Sequence, residues 1–396
     1  MPSDDLLGVH DVEYVLCDLM TNAVLARLPF TQVTFSYTLN AAGQFSGTLP
    51  IEGLDPVATN WEEATRPAKT ILWVVADGAT VWGGIVWSRN YSMVEQTIRI
   101  QANDFWSYFN QRQQAKDYSY TWVSYVDPMM IAETVVNDAL AVANSGLADI
   151  LTVEKQGSTS TTDWVIMSYP YQEMQSVEMI VTQLQQMGYG VGFDFAIDVA
   201  DHNGTRAAFL TLSYPRRGRV AGTTGLALDI TTATDFTFPE DGTKTGNRIY
   251  EVSTSAGSIM VIVNAEAAFA DNYPLLEQLL QHPDINSTPL VQPVLQACAN
   301  SDLALYAYPV VTPTVTIPLW GTPSFGEYIV GDDIRLIVPK VAGAGMKQNP
   351  RFPNGMDAYW RIVQVDVTIA DEGLSTAKLT LDIPPSASGP VAPPTS

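Results

Sequence analysis

Histidine and cysteine are scarce: the chain has three histidines and two cysteines among 396 residues. So few cysteines exclude a disulfide framework. Cys17 in "YVLCDL" and Cys298 in "PVLQACAN" read as small buried apolar residues. His10, His202 and His282 stand in no ligand-like cluster. H-E-x-x-H, paired-cysteine zinc spacing, a phosphate-cradling G-x-x-x-x-G-K-[ST] and a G-x-S-x-G elbow are all missing. No catalytic, cofactor-binding or metal-binding residue is therefore assigned, no cofactor is expected, and the chain reads as a non-enzyme. Basic residues are also few, with 20 Lys plus Arg against 42 acids and a formal net charge of −22. Such a surface repels phosphate backbones and anionic membranes; this argues against groove-reading of nucleic acid, though not against DNA sliding past. No apolar run approaches the roughly 20 residues that cross a bilayer, so no membrane insertion by this chain is expected. The start, "MPSDDLLGVHD", lacks the basic segment and apolar core of a signal peptide. The expectation is synthesis in a cytoplasm without an export signal.

What is present reads as a folded protein, with 46% hydrophobic and 10% aromatic residues. Its length predicts about two to four domains. In "QVTFSYTLN", Val33, Phe35, Tyr37 and Leu39 alternate, and Phe45 with Leu49 starts the return strand. Asp77-Gly78 lies between two apolar runs, a hairpin signal because both turn positions want φ > 0. "QTIRIQA" alternates Ile98 and Ile100 with Arg99 and Gln101, and "NDFWSYFNQRQ" predicts a short helix capped by Asn103 or Asp104. Asp127-Pro128 predicts a second helix start, with Ile131, Val135, Leu140 and Val142 or Ala143 at helical spacing. Met174, Val177, Val181 and Leu184 form another stripe, stopped by Gly188. A hairpin follows, with Phe193, Phe195, Ile197 and Val199 inward. Later, "DNYPLLEQLLQHP" and "STPLVQPVLQACAN" predict two helices, the second kinked or delayed by Pro293.

These patterns predict a β-dominated α+β fold: two tube-like β-barrel domains separated by α+β insert material. The boundaries read as 1–112 for the first barrel and 113–219 for the insert. Residues 220–385 form the second barrel, with a helical insertion at about 265–305, and 386–396 a disordered Pro-rich tail. A faint repeat links the ends. Trp82, Ile85 and Val86 lead through a polar loop to "TIRIQA", as Trp360, Ile362 and Val363 lead to "KLTLDI".

Several local motifs have bland readings. "DHNGT" at Asp201–Thr205 and "PEDGT" at Pro239–Thr243 read as turns rather than metal sites. Glu62 and Glu63 read as a solvated face, and the sequons at Asn203 and Asn286 mean nothing without export. "YPRRGR", with Arg216, Arg217 and Arg219, is the one basic cluster. It reads either as an exposed linker or as a docking patch for an acidic neighbouring subunit, and docking is favoured because scattered charge would serve solubility equally well.

"GQFSGTLPI", followed by "WGGIVWSRNYSMVEQTIRIQANDFWSYFNQR", resembles the first domain of minor tail proteins from long-tailed phages of actinobacteria, within the family of baseplate or tail-tip hub proteins. The family's W-x-G-x-[IV] strand and its short aromatic helix ending in Arg are matched by Trp82, Gly84, Ile85 or Val86, and Arg112. "GNRIYEVST", "GEYIVGDDIRLIV" and "AYWRIVQVDVTI…KLTLDI" resemble the closing barrel, so the resemblance covers most of the chain. It implies a homotrimer in the virion tail tip, whose six barrels match a six-fold tail tube to three-fold tip proteins. Implied partners are the tail tube or distal tail protein, the tape measure protein and downstream tip or fibre proteins. Three chains at −22 each carry a formal −66. That predicts an acid-dominated lumen through which genomic DNA passes without specific binding. Two alternatives stand beside this reading: a carbohydrate-binding receptor protein of the tip, and a tail-associated cell-wall hydrolase, whose carboxylate pair leaves no local signature.

Overall fold

Seven strands take up most of the N-terminal hundred residues: β1 (Val12–Asp18), β2 (Val24–Arg27), β3 (Thr31–Thr38), β4 (Gln44–Pro50), β5 (Thr70–Ala76), β6 (Ala79–Ser92) and β7 (Thr97–Asp104). The computed structural model describes residues 11–55, 59–119, 126–147, 149–158, 168–186, 193–202, 204–223, 225–254, 260–266, 274–281, 291–340 and 349–384. Val33, Phe35, Phe45 and Leu49 are buried, as the period-two alternation requires. Asp77 and Gly78 take φ of 50° and 80° and close the β5–β6 hairpin. Asp104, not Asn103, caps the 3-10 helix Phe105–Gln111 by accepting from the Trp106 amide at 3.0 Å.

The insert contains α1 (Pro128–Ala141), β8 (Leu151–Gly157), α2 (Val177–Gln186), β9 (Asp194–His202) and β10 (Thr205–Tyr214). The Asp127 carboxylate accepts from the Met129 amide at 2.9 Å and starts α1. That helix ends at Ala141, so Val142 and Ala143 are exposed and leave the predicted stripe. α2 also starts late. Met174 adopts left-handed backbone with φ 49°, stays exposed, and leaves Val177, Ile180, Val181 and Leu184 as the buried stripe. Gly188 lies outside the described residues. β9 and β10 pair as the expected hairpin, with β8 parallel to β10. Their apolar face packs with α1 and α2 on the outer side of β1, β5 and β6, at Val15, Cys17, Ile71, Trp73, Val75 and Ile85.

The remaining elements are β11 (Ala227–Asp229), β12 (Asp235–Thr237), β13 (Arg248–Thr254), β14 (Met260–Glu266), β15 (Glu277–Gln281), α3 (Val291–Tyr306), β16 (Thr314–Pro318), β17 (Asp333–Val338), β18 (Met356–Ile369) and β19 (Thr376–Asp382). One expectation fails here. Of the leucines that predict a helix over "DNYPLLEQLLQHP", Leu279 and Leu280 instead lie in β15, parallel to β13. Leu279 is 60% exposed while Leu280 packs toward α3, opposite faces as a strand demands. α3 forms, and Pro293 falls in its first turn, where a missing amide hydrogen costs no helical bond.

A single thirteen-stranded sheet joins the two ends of the chain, in the order β12-β16-β19-β18-β3-β4-β7-β6-β5-β1-β2, with β17 branching from β18 and β11 beyond it. β18 makes the join: Met356 to Arg361 pairs with β17, and Gln364 to Ile369 pairs with β3. One core draws Phe35, Phe45 and Trp82 from the N-terminal strands and Trp360, Val367 and Leu379 from the C-terminal ones. Among the described residues strand outweighs helix, 47% to 17%, so the fold is β-dominated α+β.

The repeated hairpins both form. β6 and β18 are each 14 residues long, and each pairs with the strand that follows it. Each carries a buried tryptophan (Trp82 2% and Trp360 1% exposed), and each breaks register against the strand that follows it, at Val86/Ser88 in β6 and Ile362/Gln364 in β18.

Candidate interaction site at the junction of sheet and insert

The basic segment after β10 is consumed inside the chain. Arg216 grips Asp333 through both terminal nitrogens, at 3.1 and 2.5 Å, and also donates to the Gly331 carbonyl at 2.7 Å. Arg217, buried, donates to Asp198 at 2.8 Å and to the Val330 carbonyl at 3.2 Å. Arg219 holds Asp332 at 3.1 and 2.6 Å. Arg361 of β18 adds a fourth arginine, bonded to Asp194 of β9. Asp194 also accepts from the Arg217 amide at 2.7 Å and from Asn40 Nδ2 at 3.1 Å. Gly218, φ 83°, permits the crossing: a Cβ there would stand 2.2 Å from the Gly331 carbonyl carbon. The expected docking patch for a neighbouring subunit is thus corrected. These arginines clamp the insert to the C-terminal strands, because aspartates distant in sequence converge on them.

Beside the clamp opens a cleft of about 240 Å³. Tyr37 and Val81 line it from the N-terminal strands, Ile197 and Val199 from β9, and Phe325 and Ile329 from the loop before β17. Its two charged lining residues, Asp198 and Arg217, neutralise each other. A smaller crevice of about 10 Å³ shares Tyr37, Ile197, Val199 and Val330 and reaches Asp104. The Asp104 carboxyl is pushed up to about 7 by burial, against the opposing hydrogen bonds from the Gly43 and Trp106 amides.

Residues weighed for chemistry are scattered. His202 is exposed at the end of β9, while His10 and His282 lie outside the described residues. Cys17 and Cys298 are buried, and burial pushes their thiols up to about 11 and about 12, so both stay protonated at neutral pH. Asp201 reaches the Thr80 amide at 3.0 Å and hydroxyl at 2.8 Å, and its loop is the β9–β10 turn. Asp241 accepts from the Thr243 amide at 2.8 Å on an exposed turn. Asn203 and Asn286 are outside the described residues. Among the described residues no group of His, Cys, Asp and Glu is arranged to hold a metal ion. No described helix is long and apolar enough to cross a membrane.

No protein-family model matches the chain, and no curated protein matches it. Solved structures do. The chain is similar to a tail protein from Neisseria meningitidis MC58, with TM-score 0.59 and 12% identity over 93% of this chain and 96% of that one. It is similar to the 43 kDa tail protein of prophage MuSo2 from Shewanella oneidensis, with TM-score 0.59 and 12% identity over 94% and 98%. The fold is that of phage tail proteins. A third structure, prophage tail protein gp18 from Listeria monocytogenes EGD-e, aligns with TM-score 0.55 and 13% identity over 95% of each chain. At such identities the likeness is one of fold, end to end.

Proposed function

We propose that this chain is a structural tail-tip (baseplate) hub protein of a long-tailed phage, a minor tail protein acting as a homotrimer. The observation that carries the reading is the fold shared with tail proteins across at least 93% of this chain. The repeated Trp82 and Trp360 hairpins add a reason for the architecture. Residues 1–112 and 220–385 supply two barrel domains joined through one sheet, and 113–219 the insert clamped against them. Three copies present six similar units, joining a six-fold tail tube or distal tail protein to three-fold tip or fibre proteins, below the tape measure protein. The net charge of −22 supports an acidic channel wall past which DNA moves without binding. The chain works in the virion and performs no chemistry of its own. An actinobacterial host is proposed from the sequence resemblance.

The carbohydrate-receptor and hydrolase readings gain no observation of their own. Among the described residues every tryptophan is buried or half-buried, and the exposed tyrosines are Tyr91, Tyr171 and Tyr359. The cleft carries one carboxylate, Asp198, already held by Arg217 and Thr211. The test is genetic. A nonsense mutation in the reading frame should leave particles without functional tails, and wild-type tails in its presence would overturn the proposal.

A further inference from the structure

The two repeated hairpins end differently. The β18–β19 tip exposes Asp371 and Glu372 beside Leu374, and it is tied to its own chain because Asp371 accepts from the Gln32 amide at 3.0 and 3.1 Å. The β6–β7 tip projects an apolar group beside the exposed Glu95: Tyr91 is 56%, Met93 79% and Val94 95% exposed. Val94 is the most exposed large apolar residue among those described. A tip of this kind, on a chain of net charge −22, is an association element rather than a solubilising one.

The junction cleft has matching properties. Its walls are apolar, its one ion pair leaves no net charge, and Ile329 stands 40% exposed beside it. A cavity of about 150 Å³ accepts benzene, so one of about 240 Å³ has room for the Met93 and Val94 side chains. Net repulsion between acidic copies favours a contact made mainly by apolar side chains, here Met93 and Val94. Geometry excludes the alternative of self-docking. Val81, at the cleft, and Ser92, at the tip, lie eleven residues apart on the same strand, β6. At roughly 3.3 Å per residue they stand roughly 36 Å apart, so a tip cannot enter its own cleft.

We infer that the β6–β7 tip of one protomer seats in the junction cleft of a second copy of this chain. The contact is heterologous, one surface meeting a different one, and such contacts close into rings when the rotation allows. This deepens the trimeric reading and rests on it.

The test uses the full chain, purified and in assembled tails. Met93→Glu/Val94→Glu should weaken self-association at least tenfold by sedimentation while its melting matches wild type. Ile329→Glu, on the cleft side, should do the same. Val94→Cys and Ile329→Cys, placed on separate chains of different mass, should join through a short bismaleimide, whereas two Val94→Cys chains should not. A trimer that ignores all three charge substitutions and yields no Val94–Ile329 cross-link overturns this contact and leaves the trimer standing. A chain monomeric in solution and in the tail overturns both.

Discussion

Replacing Asp194 by Asn removes one negative charge from the centre of the clamp and keeps the side chain's shape. Asp194 is 5% exposed and accepts from Asn40, the Arg217 amide and the Arg361 guanidinium. Arg361 is itself 7% exposed, and its other acceptors are the Gly331 and Arg217 carbonyls. Asp194→Asn therefore leaves a buried guanidinium hydrogen-bonded only to neutral oxygens, with Asp382 on the next strand as its remaining nearby carboxylate, a loss of up to about 3–5 kcal/mol for one partner of a buried pair. Because one sheet spans both chain ends, unfolding is treated as a single transition. At about 2.1 cal/mol/K per residue, the 396 residues unfold with an entropy of about 0.8 kcal/mol/K, so Tm falls by about 4–6 °C. Differential scanning calorimetry reads the shift. Arg361→Met should cost less than its own partner's loss, since Asp194 keeps two donors. The double variant should recover about 1–3 kcal/mol against the sum of the singles. If Asp194→Asn melts within 1 °C of wild type, the clamp does not hold the insert to the C-terminal strands.

Trp82→Ala and Trp360→Ala should each destabilise the chain by about 3–5 kcal/mol in urea titrations, since both rings are buried. Trp82 Nε1 donates to the Ser36 carbonyl at 3.1 Å, whereas Trp360 Nε1 has no partner among the described residues, so Trp82→Phe should cost about 1 kcal/mol more than Trp360→Phe. Asp104 gives a pH signature: its folded carboxyl sits at about 7, above the ordinary value of about 3.9. Its contribution to stability is complete below about pH 4 and is lost as pH rises to about 7, and Asp104→Asn should flatten that slope in melts across this window. Purified protein should show weak or no binding to duplex DNA at moderate salt by gel shift, and tight salt-sensitive binding would contradict an acidic channel.

Local chemistry made much of this fold legible. Asp77-Gly78, Asp104 and Asp127-Pro128 declared their turn and caps because each fixes its own backbone through neighbours a few residues away. The Trp82 and Trp360 hairpins were readable because the alternation repeats in both. Long-range partners were not readable. β15 looks helical from its leucine spacing, yet pairing with β13, about 30 residues upstream, makes it a strand. The arginines of "YPRRGR" look like a free basic patch because Asp332 and Asp333 lie more than a hundred residues away. The cleft had no signature at all, being assembled from strands β3 and β6, β9 and the loop before β17. The β6–β7 tip was within reach, since Met93-Val94 in a polar turn is a local anomaly.

The central claim is that three copies build the hub ring of a tail tip. A cryo-electron microscopy map of the assembled tail tests it most directly. It should show a three-fold ring with an axial opening, six similar barrel lobes forming a pseudo-six-fold collar, and an inner wall dominated by acidic side chains. A monomeric particle without an opening, or a ring lined by Lys and Arg, would contradict it.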